Sequence, residues 1–290
     1  MEHTVCDFLA LFVSGMTNDK GFNMSNREGY FIFFMPGSSG RLFGKIITKL
    51  VNNIKSDLTI TDYNSAHIST DDFFLYWAGE NYDVTRHATE MPTDGTTPVI
   101  ISHLFPEVGI TEFCKTTKKG IILINVDSKY VPKAQLNAVI KNLFPTLDEM
   151  LKGNVIVEKD HHFVEAYIRS YLKLTECVLD STVLTDTDKR DQYLKFIASD
   201  VPVGRTTSVF KDFVNNDVVE TNQIFRIEYH RMFDKNSTGQ YTTLLRLSNW
   251  LGVEYNDVVH KIYADYEIGQ IKLFEKYCPW FLTGDENETR

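Results

Sequence analysis

Four small residues followed by regularly spaced basic residues lie between Tyr30 and Leu50, in the stretch YFIFFMPGSSGRLFGKIITKL. Backbone amides of small residues can close around an anion, and the first turn of a helix favours negative charge. The spacing of four from Arg41 to Lys45 to Lys49 puts three cations along one helix face. This stretch predicts a phosphate-binding loop, with Lys45 as a candidate catalytic cation. The candidate cofactor-binding residues here are Gly37, Ser38, Ser39, Gly40 and Arg41.

The loop resembles a Walker A motif only in part. Gly44-Lys45 matches that pattern, but Ser39 stands at the first glycine position and Ile46 replaces the magnesium-binding hydroxyl. The residues therefore favour an anion cradle over a magnesium–ATP site of standard form. An ordinary buried strand that turns into a helix with solvated lysines would have a similar composition.

Two further polar residues follow apolar runs. His103 ends the run that begins at Pro98, and Asp127 ends the run that begins at Gly120. Strands alternating with helices predict a parallel sheet, in which ligands bind beyond the carboxyl ends of the strands. Ser38, His103 and Asp127 are all expected at that edge. A histidine, with an ordinary pKa near 6.5, suits proton transfer there, although His103 could equally cap its strand.

The elements that would position these residues follow from hydrophobic patterning. The predicted strands are Tyr30–Met35, Leu58–Thr61, Pro98–His103, Gly120–Asp127 and Gln223–Tyr229. The predicted helices are Arg41–Ile54, Gly109–Thr117, Lys133–Leu151, Tyr241–Leu251 and Tyr255–Tyr277. Asn64–Asp94 has no clear period and is expected to be a long irregular loop. The pattern predicts an α/β fold with a central, mainly parallel sheet.

Composition predicts one globular domain over residues 30–280, with a helical insert at about 158–217. Residues 1–29 are expected to pack on the core, and residues 281–290 to form a disordered acidic tail. With 43% hydrophobic residues and a net charge of −9, the chain is suited to a large core but not to non-specific nucleic-acid binding. An N-terminal apolar run of about ten residues is too short to span a membrane. The four cysteines are widely separated, so no zinc site is expected and a cytoplasmic location is favoured.

The order of these landmarks resembles that of P-loop sulfotransferases, of the divergent kind met in phages and other viruses. PGSSGRLF stands where the family has PKSGTTW, and Ser102-His103-Leu104-Phe105-Pro106 is similar to KTHLP. IILINVDSKYVPKAQLN occupies the place of IIYVARNPKDVAVS. Further along, Trp250-Leu251-Gly252 is similar to the family's FLG.

This resemblance implies a P-loop-type three-layer fold and transfer of a sulfuryl group from PAPS to a hydroxyl or amine. The acceptor would be a small molecule or a nucleotide-linked group, in the host cytoplasm if the protein is viral. His103 would be the general base. Gly37 replaces the family's lysine, so Arg41 or Lys45 would supply the positive charge. The family's 3′-phosphate arginine is absent, which leaves Lys133 and Asn137 among the substitutes.

Two other functions remain open from the sequence. A P-loop kinase would use Gly44-Lys45 and ATP, with Asp127 at the end of the Walker-B-like run IILINVD holding magnesium. Its acceptor would be a nucleotide, a modified base or another small molecule. A non-catalytic binding protein on the same fold would keep the loop without the chemistry.

Overall fold

The computed structural model describes residues 27–35, 37–51, 75–78, 97–102, 105–106, 108–138, 140, 186–198, 212–233 and 238–283. Its sheet has five strands in the spatial order β2-β3-β1-β4-β5, and every pairing between them is parallel. The strands are β1 Tyr30–Phe33, β2 Leu75–Ala78, β3 Val99–Ser102, β4 Gly120–Asn125 and β5 Ile224–Glu228. The predicted α/β class with a parallel sheet is therefore confirmed.

Helices follow β1, β3, β4 and β5, as crossovers between parallel strands lead one to expect. They are α1 Gly40–Val51, α2 Ile110–Thr116, α3 over residues 131–138, α4 Thr187–Ala198, α5 Tyr229–Phe233, α6 Thr238–Leu251, α7 Asp257–Tyr277 and α8 Pro279–Thr283. A 3₁₀ turn, Ser128–Tyr130, precedes α3. Within the described ranges, no helix is both long enough and apolar enough to cross a membrane.

The central strand β1 is buried along its whole length, and its side chains alternate between the two faces of the sheet. The Tyr30 ring lies 5.9 Å from Trp250 of α6, between ring centroids. The Phe31 ring lies 5.2 Å from Phe113 of α2. Helices thus cover β1 on both faces, which explains its uninterrupted apolar sequence.

The carboxyl end of β1 lies where the strand order reverses. The chain leaves β1 for β2 and β3 on one side, then crosses to β4 and β5 on the other. In open parallel sheets this reversal leaves a crevice beyond the carboxyl ends of the strands, where ligands bind. The loop after β1 leads from this crevice directly into α1.

Several predicted elements differ from the structure. Strand β2 lies inside Asn64–Asp94, which was expected to be irregular. Helix α8 runs to Thr283, so the predicted tail at 281–290 begins in a helix. Near the end of the predicted helical insert, Val214 instead forms a parallel bridge with Val126. The predicted strand Leu58–Thr61 lies outside the described residues.

Candidate functional site

The loop after β1 is a tight turn held by its own backbone. The Ser38 N–H donates to the Met35 carbonyl at 3.0 Å, and the Ser38 hydroxyl donates to the same oxygen at 2.6 Å. Gly37 has φ +83°, a left-handed conformation that favours glycine. Ser38 is fully buried, and its hydroxyl stabilises the turn through this bond to Met35.

Ser39 also has a left-handed backbone, with φ 66°, and is buried. Its hydroxyl is hydrogen-bonded to the Tyr266 hydroxyl of α7 at 2.8 Å. Its carbonyl accepts from the Phe43 N–H at 3.3 Å, and this is the bond that begins α1. The N–H groups of Gly40 and Arg41 belong to the first turn of the helix, before that bond. The loop therefore presents the positive end of a helix dipole at the crevice.

Helix α3 packs against this loop and brings together two predicted binding residues, Gly37 and Asn137. The Asn137 side-chain amide donates to the Gly37 carbonyl at 2.6 Å, and Asn137 is buried. A Cβ at Gly37 would lie 1.8 Å from the Ala134 carbonyl oxygen. Asn137 therefore positions the loop. Lys133, one turn before Asn137, is half-buried.

Gly40 is a glycine because of packing. A Cβ at this position would lie 2.0 Å from a ring carbon of Phe34. The glycine therefore allows the start of α1 to lie close against the Phe34 ring.

The basic residues of α1 are less accessible than the spacing of four suggested. Lys45 is 2% exposed and Lys49 is 7% exposed, and both take part in interactions within the protein. Arg41 is half-buried at the start of the helix. Helix α1 packs on β1 and β3 and is also in contact with α7, so little of its surface faces solvent. Arg41 is therefore the most exposed of the three predicted cations.

Asp127 follows β4 and caps the 3₁₀ turn, where its carboxylate accepts from the Lys129 N–H at 3.1 Å. The preceding Asn125 donates to the Glu228 carboxylate at 2.7 Å and accepts from the Asn216 N–H at 2.8 Å. These bonds join the carboxyl ends of β4 and β5 to the segment 212–218. The sequence analysis did not find this network, because it depends on the pairing of Asn125 with Glu228.

His230 also lies at this edge, immediately after β5 in the first turn of α5. Its ring stacks on the Tyr130 ring at 5.5 Å between centroids, with 10° between the planes. The Lys129 ammonium lies 4.9 Å from the centre of the Tyr130 ring. A histidine directly after a predicted strand was the signal used for His103, and the same signal marks His230. His103 itself lies outside the described residues, although β3 ends at Ser102 beside Phe33 of β1.

Three tyrosines, Tyr229, Tyr263 and Tyr266, are fully buried behind the loop. The Tyr263 hydroxyl donates to the Met232 carbonyl. Burial raises the pKa of the Tyr229 and Tyr263 phenols above the ordinary tyrosine value, and the neighbouring Tyr266 phenol adds to this effect. Tyr229 and Tyr263 are therefore neutral at physiological pH.

The described part of the chain contains no group of three or more histidine, cysteine or carboxylate side chains placed to hold a metal ion. Cys114 and Cys278 are free thiols. Burial raises the pKa of Cys114 to about 11, and burial with the nearby Asp191 raises that of Cys278 to about 12. Thiols with such pKa values are unreactive at neutral pH.

Comparison of the chain with protein-family models, curated proteins and solved structures found no match.

Proposed function

We propose that the chain is a nucleotide-binding group transferase of the PAPS-dependent sulfotransferase type, with a P-loop-type three-layer fold. One observation carries the proposal: the tight, left-handed loop Gly37–Ser39 joins the central strand to the N-terminus of α1 where the strand order reverses. A helix N-terminus at the carboxyl edge of a parallel sheet favours a phosphate group.

In this proposal the N–H groups of Gly40 and Arg41 and the Arg41 guanidinium hold the 5′-phosphosulfate of the donor. Lys45 adds positive charge from within α1, and Lys133 binds the 3′-phosphate. Ser38 and Asn137 act on the loop, because their hydrogen bonds end on the backbone of Met35 and Gly37.

The transfer step needs one base and one anion site. The acceptor oxygen or nitrogen attacks the sulfur of PAPS while the sulfur–oxygen bond to the phosphate breaks, and PAP leaves. His103 takes the proton that the acceptor loses. The loop amides stabilise the charge that develops on the leaving phosphate, as preorganised donors do in group transfer.

A P-loop kinase is the second candidate, because Asp127 lies just beyond β4, which pairs with the central β1. An aspartate in that place could ligate a magnesium ion bound with ATP. Ile46 on α1 is fully buried and apolar, so it offers no second ligand. The two candidates therefore differ in their dependence on magnesium.

Thermal unfolding with added nucleotides separates the candidates. At a hundredfold excess over its dissociation constant, a ligand stabilises the native state by about 2.7 kcal/mol. With about 2.1 cal/mol/K of unfolding entropy per residue, we expect PAP to raise the melting temperature of this chain by roughly 4–5 °C, and the shift to survive EDTA. Arg41→Ala should reduce the shift, whereas Lys272→Ala, an exposed change on α7, should not.

Two other outcomes would contradict the sulfotransferase proposal. A shift with ATP and magnesium that EDTA removes, without a shift for PAP, would replace the sulfotransferase proposal by the kinase. No shift with PAP, PAPS, ATP or GTP would contradict both, and would favour a binding protein that keeps the fold without the chemistry.

A further inference from the structure

The Ser39–Tyr266 hydrogen bond joins the loop after β1 to a helix more than two hundred residues away in the chain. Tyr266 is fully buried in the middle of α7. Its hydroxyl lies 2.8 Å from the Ser39 hydroxyl and accepts from the Gln270 amide at 3.4 Å. Gln270, one turn along α7, is also buried. The hydroxyl that bonds to the loop serine is thus held by a buried neighbour on the same helix.

The conformation of Ser39 needs such a partner. Among the described residues, only Ser39 and Asn215 combine a side chain with positive φ. Asparagine tolerates the left-handed region because its short side chain can bond locally, although Asn215 is held by a distant partner, the Ser128 N–H, from which it accepts at 3.1 Å. Serine has a weaker local tendency of this kind. The Ser39 hydroxyl is bonded instead to Tyr266, so a tertiary contact compensates for the unfavourable backbone.

The φ of Ser39 determines where the first amides of α1 point, because Ser39 is the residue whose carbonyl begins that helix. A change of Ser39 to negative φ would turn the N–H groups of Gly40 and Arg41 away from the crevice. We infer that Tyr266 is a positioning residue, which holds Ser39 left-handed and so keeps the loop amides directed at the anion. That the loop binds an anion rests on the proposed function, whereas the positioning of Ser39 rests on its contact with Tyr266.

Two tyrosines of α7 provide a matched pair of variants. Tyr266→Phe removes only the hydroxyl that bonds to Ser39. Tyr263→Phe removes an equally buried hydroxyl one turn earlier, which bonds to the Met232 carbonyl and not to the loop. Both changes should lower stability, whereas only Tyr266→Phe should disturb the loop.

Two changes at Ser39 separate backbone positioning from direct contact. Ser39→Ala removes the hydroxyl but keeps the energetic penalty, because alanine also has a side chain and would still have to adopt positive φ. Ser39→Gly removes the hydroxyl and the penalty together, because glycine adopts positive φ freely. If Tyr266 acts by positioning Ser39, then Ser39→Gly should recover the PAP affinity that Ser39→Ala loses.

We expect Tyr266→Phe and Ser39→Ala each to weaken PAP binding about tenfold in calorimetric titration, which is about 1.4 kcal/mol. Tyr263→Phe should stay within about twofold of the unchanged protein, and Ser39→Gly should bind PAP more tightly than Ser39→Ala does. In the Ser39→Gly background, Tyr266→Phe should have no further effect on affinity. Amide hydrogen exchange at residues 39–41 should be faster in Tyr266→Phe than in Tyr263→Phe, without any ligand.

Each contrary result overturns either the positioning by Tyr266 or the proposed function. Unchanged affinity and unchanged exchange in Tyr266→Phe would show that the tyrosine does not position the loop. Equal losses in Ser39→Gly and Ser39→Ala would mean that the hydroxyl itself contacts the anion, which contradicts positioning. If the unchanged protein binds neither PAP nor ATP, the proposed function fails. The hydrogen-exchange comparison then still decides whether Tyr266 holds Ser39.

Discussion

At the residue scale, the glycines of the loop have structural causes that differ from one position to the next. Gly37 combines a positive φ with a close approach of the Ala134 carbonyl, whereas Gly40 makes room for the Phe34 ring. Gly252, after α6, has a φ of +72° and no atom within 4 Å of where a Cβ would lie. These differences allow backbone strain and steric overlap to be measured separately.

We expect Gly37→Ala to lower the free energy of unfolding more than Gly252→Ala does. Gly252→Ala adds only the left-handed penalty, roughly 1–2 kcal/mol. Gly37→Ala adds the same penalty and an overlap with backbone that α3 cannot easily relieve, typically about 1–3 kcal/mol more. Denaturant unfolding of the two variants measures the difference directly.

Equal losses for the two variants would show that α3 does not press on the loop in solution. A loss at Gly252 that exceeds the loss at Gly37 would contradict the packing of Asn137 and Ala134 on the loop.

At the element scale, the two ends of β1 are fixed by different means. Helices α3 and α7 hold the loop at the carboxyl end. At the other end, the Arg27 guanidinium donates to the Trp250 carbonyl at 2.6 Å and the Asn222 carbonyl at 2.5 Å. It also lies 3.7 Å from the centre of the Trp250 ring. Arg27 thereby ties the entry of β1 to α6 and to the turn before β5.

Arg27→Lys should lower the free energy of unfolding by about 1–3 kcal/mol, although the charge is kept. A lysine cannot make the forked pair of hydrogen bonds or the flat contact with the indole, and it leaves partly buried carbonyls without donors. Chemical unfolding followed by tryptophan fluorescence measures the loss and reports on Trp250 at the same time.

Lys118→Ala is the control, because its ion pair with Glu28 at 2.8 Å also ties the entry of β1 to a neighbouring segment, the turn before β4, but at the surface. It should leave stability nearly unchanged, since exposed ion pairs are screened by solvent. If Arg27→Lys is as mild as Lys118→Ala, the forked contact does not fix the entry of β1.

At the scale of the whole molecule, the core contains ionisable groups that folding keeps protonated. Burial raises the pKa of the Tyr229 and Tyr263 phenols, and the pKa of Cys278 to about 12. In the unfolded chain these groups lose their protons at about pH 8.5 for the thiol and about pH 10 for the phenols. Above those values the unfolded state binds fewer protons than the native state, so stability must fall as the pH rises.

We expect the free energy of unfolding to decline above about pH 9, and more steeply above about pH 10. Each such group contributes at most about 1.4 kcal/mol per pH unit between its unfolded and native pKa. Tyr229→Phe should reduce the slope, whereas Tyr241→Phe, at a tyrosine that is 48% exposed, should not. Urea unfolding from pH 7 to pH 11 provides the measurement, and equal slopes in all three proteins would contradict the burial argument.

The sequence by itself determined the elements whose signal is local. Strands β1, β3 and β4 are buried, so each appears as a run of mainly apolar residues that burial in a parallel sheet requires. The edge strand β5 mixes buried apolar residues with the half-buried Arg226 and Glu228. The small residues after β1 similarly located the turn into α1. The edge strand β2 was missed although it stands in the apolar run FFLYWA, because the acids and histidines on either side of that run were interpreted as a loop.

Only the tertiary structure decided how the loop residues are used. A spacing of four places Arg41, Lys45 and Lys49 on one face of α1, but whether that face meets water depends on the helices that cover it. The partners of Ser39 and Gly37 are Tyr266 and Asn137, which lie far away in the chain. Such contacts are set by the packing of α3 and α7 against the end of β1, and periodicity within a segment contains no information on the packing between segments.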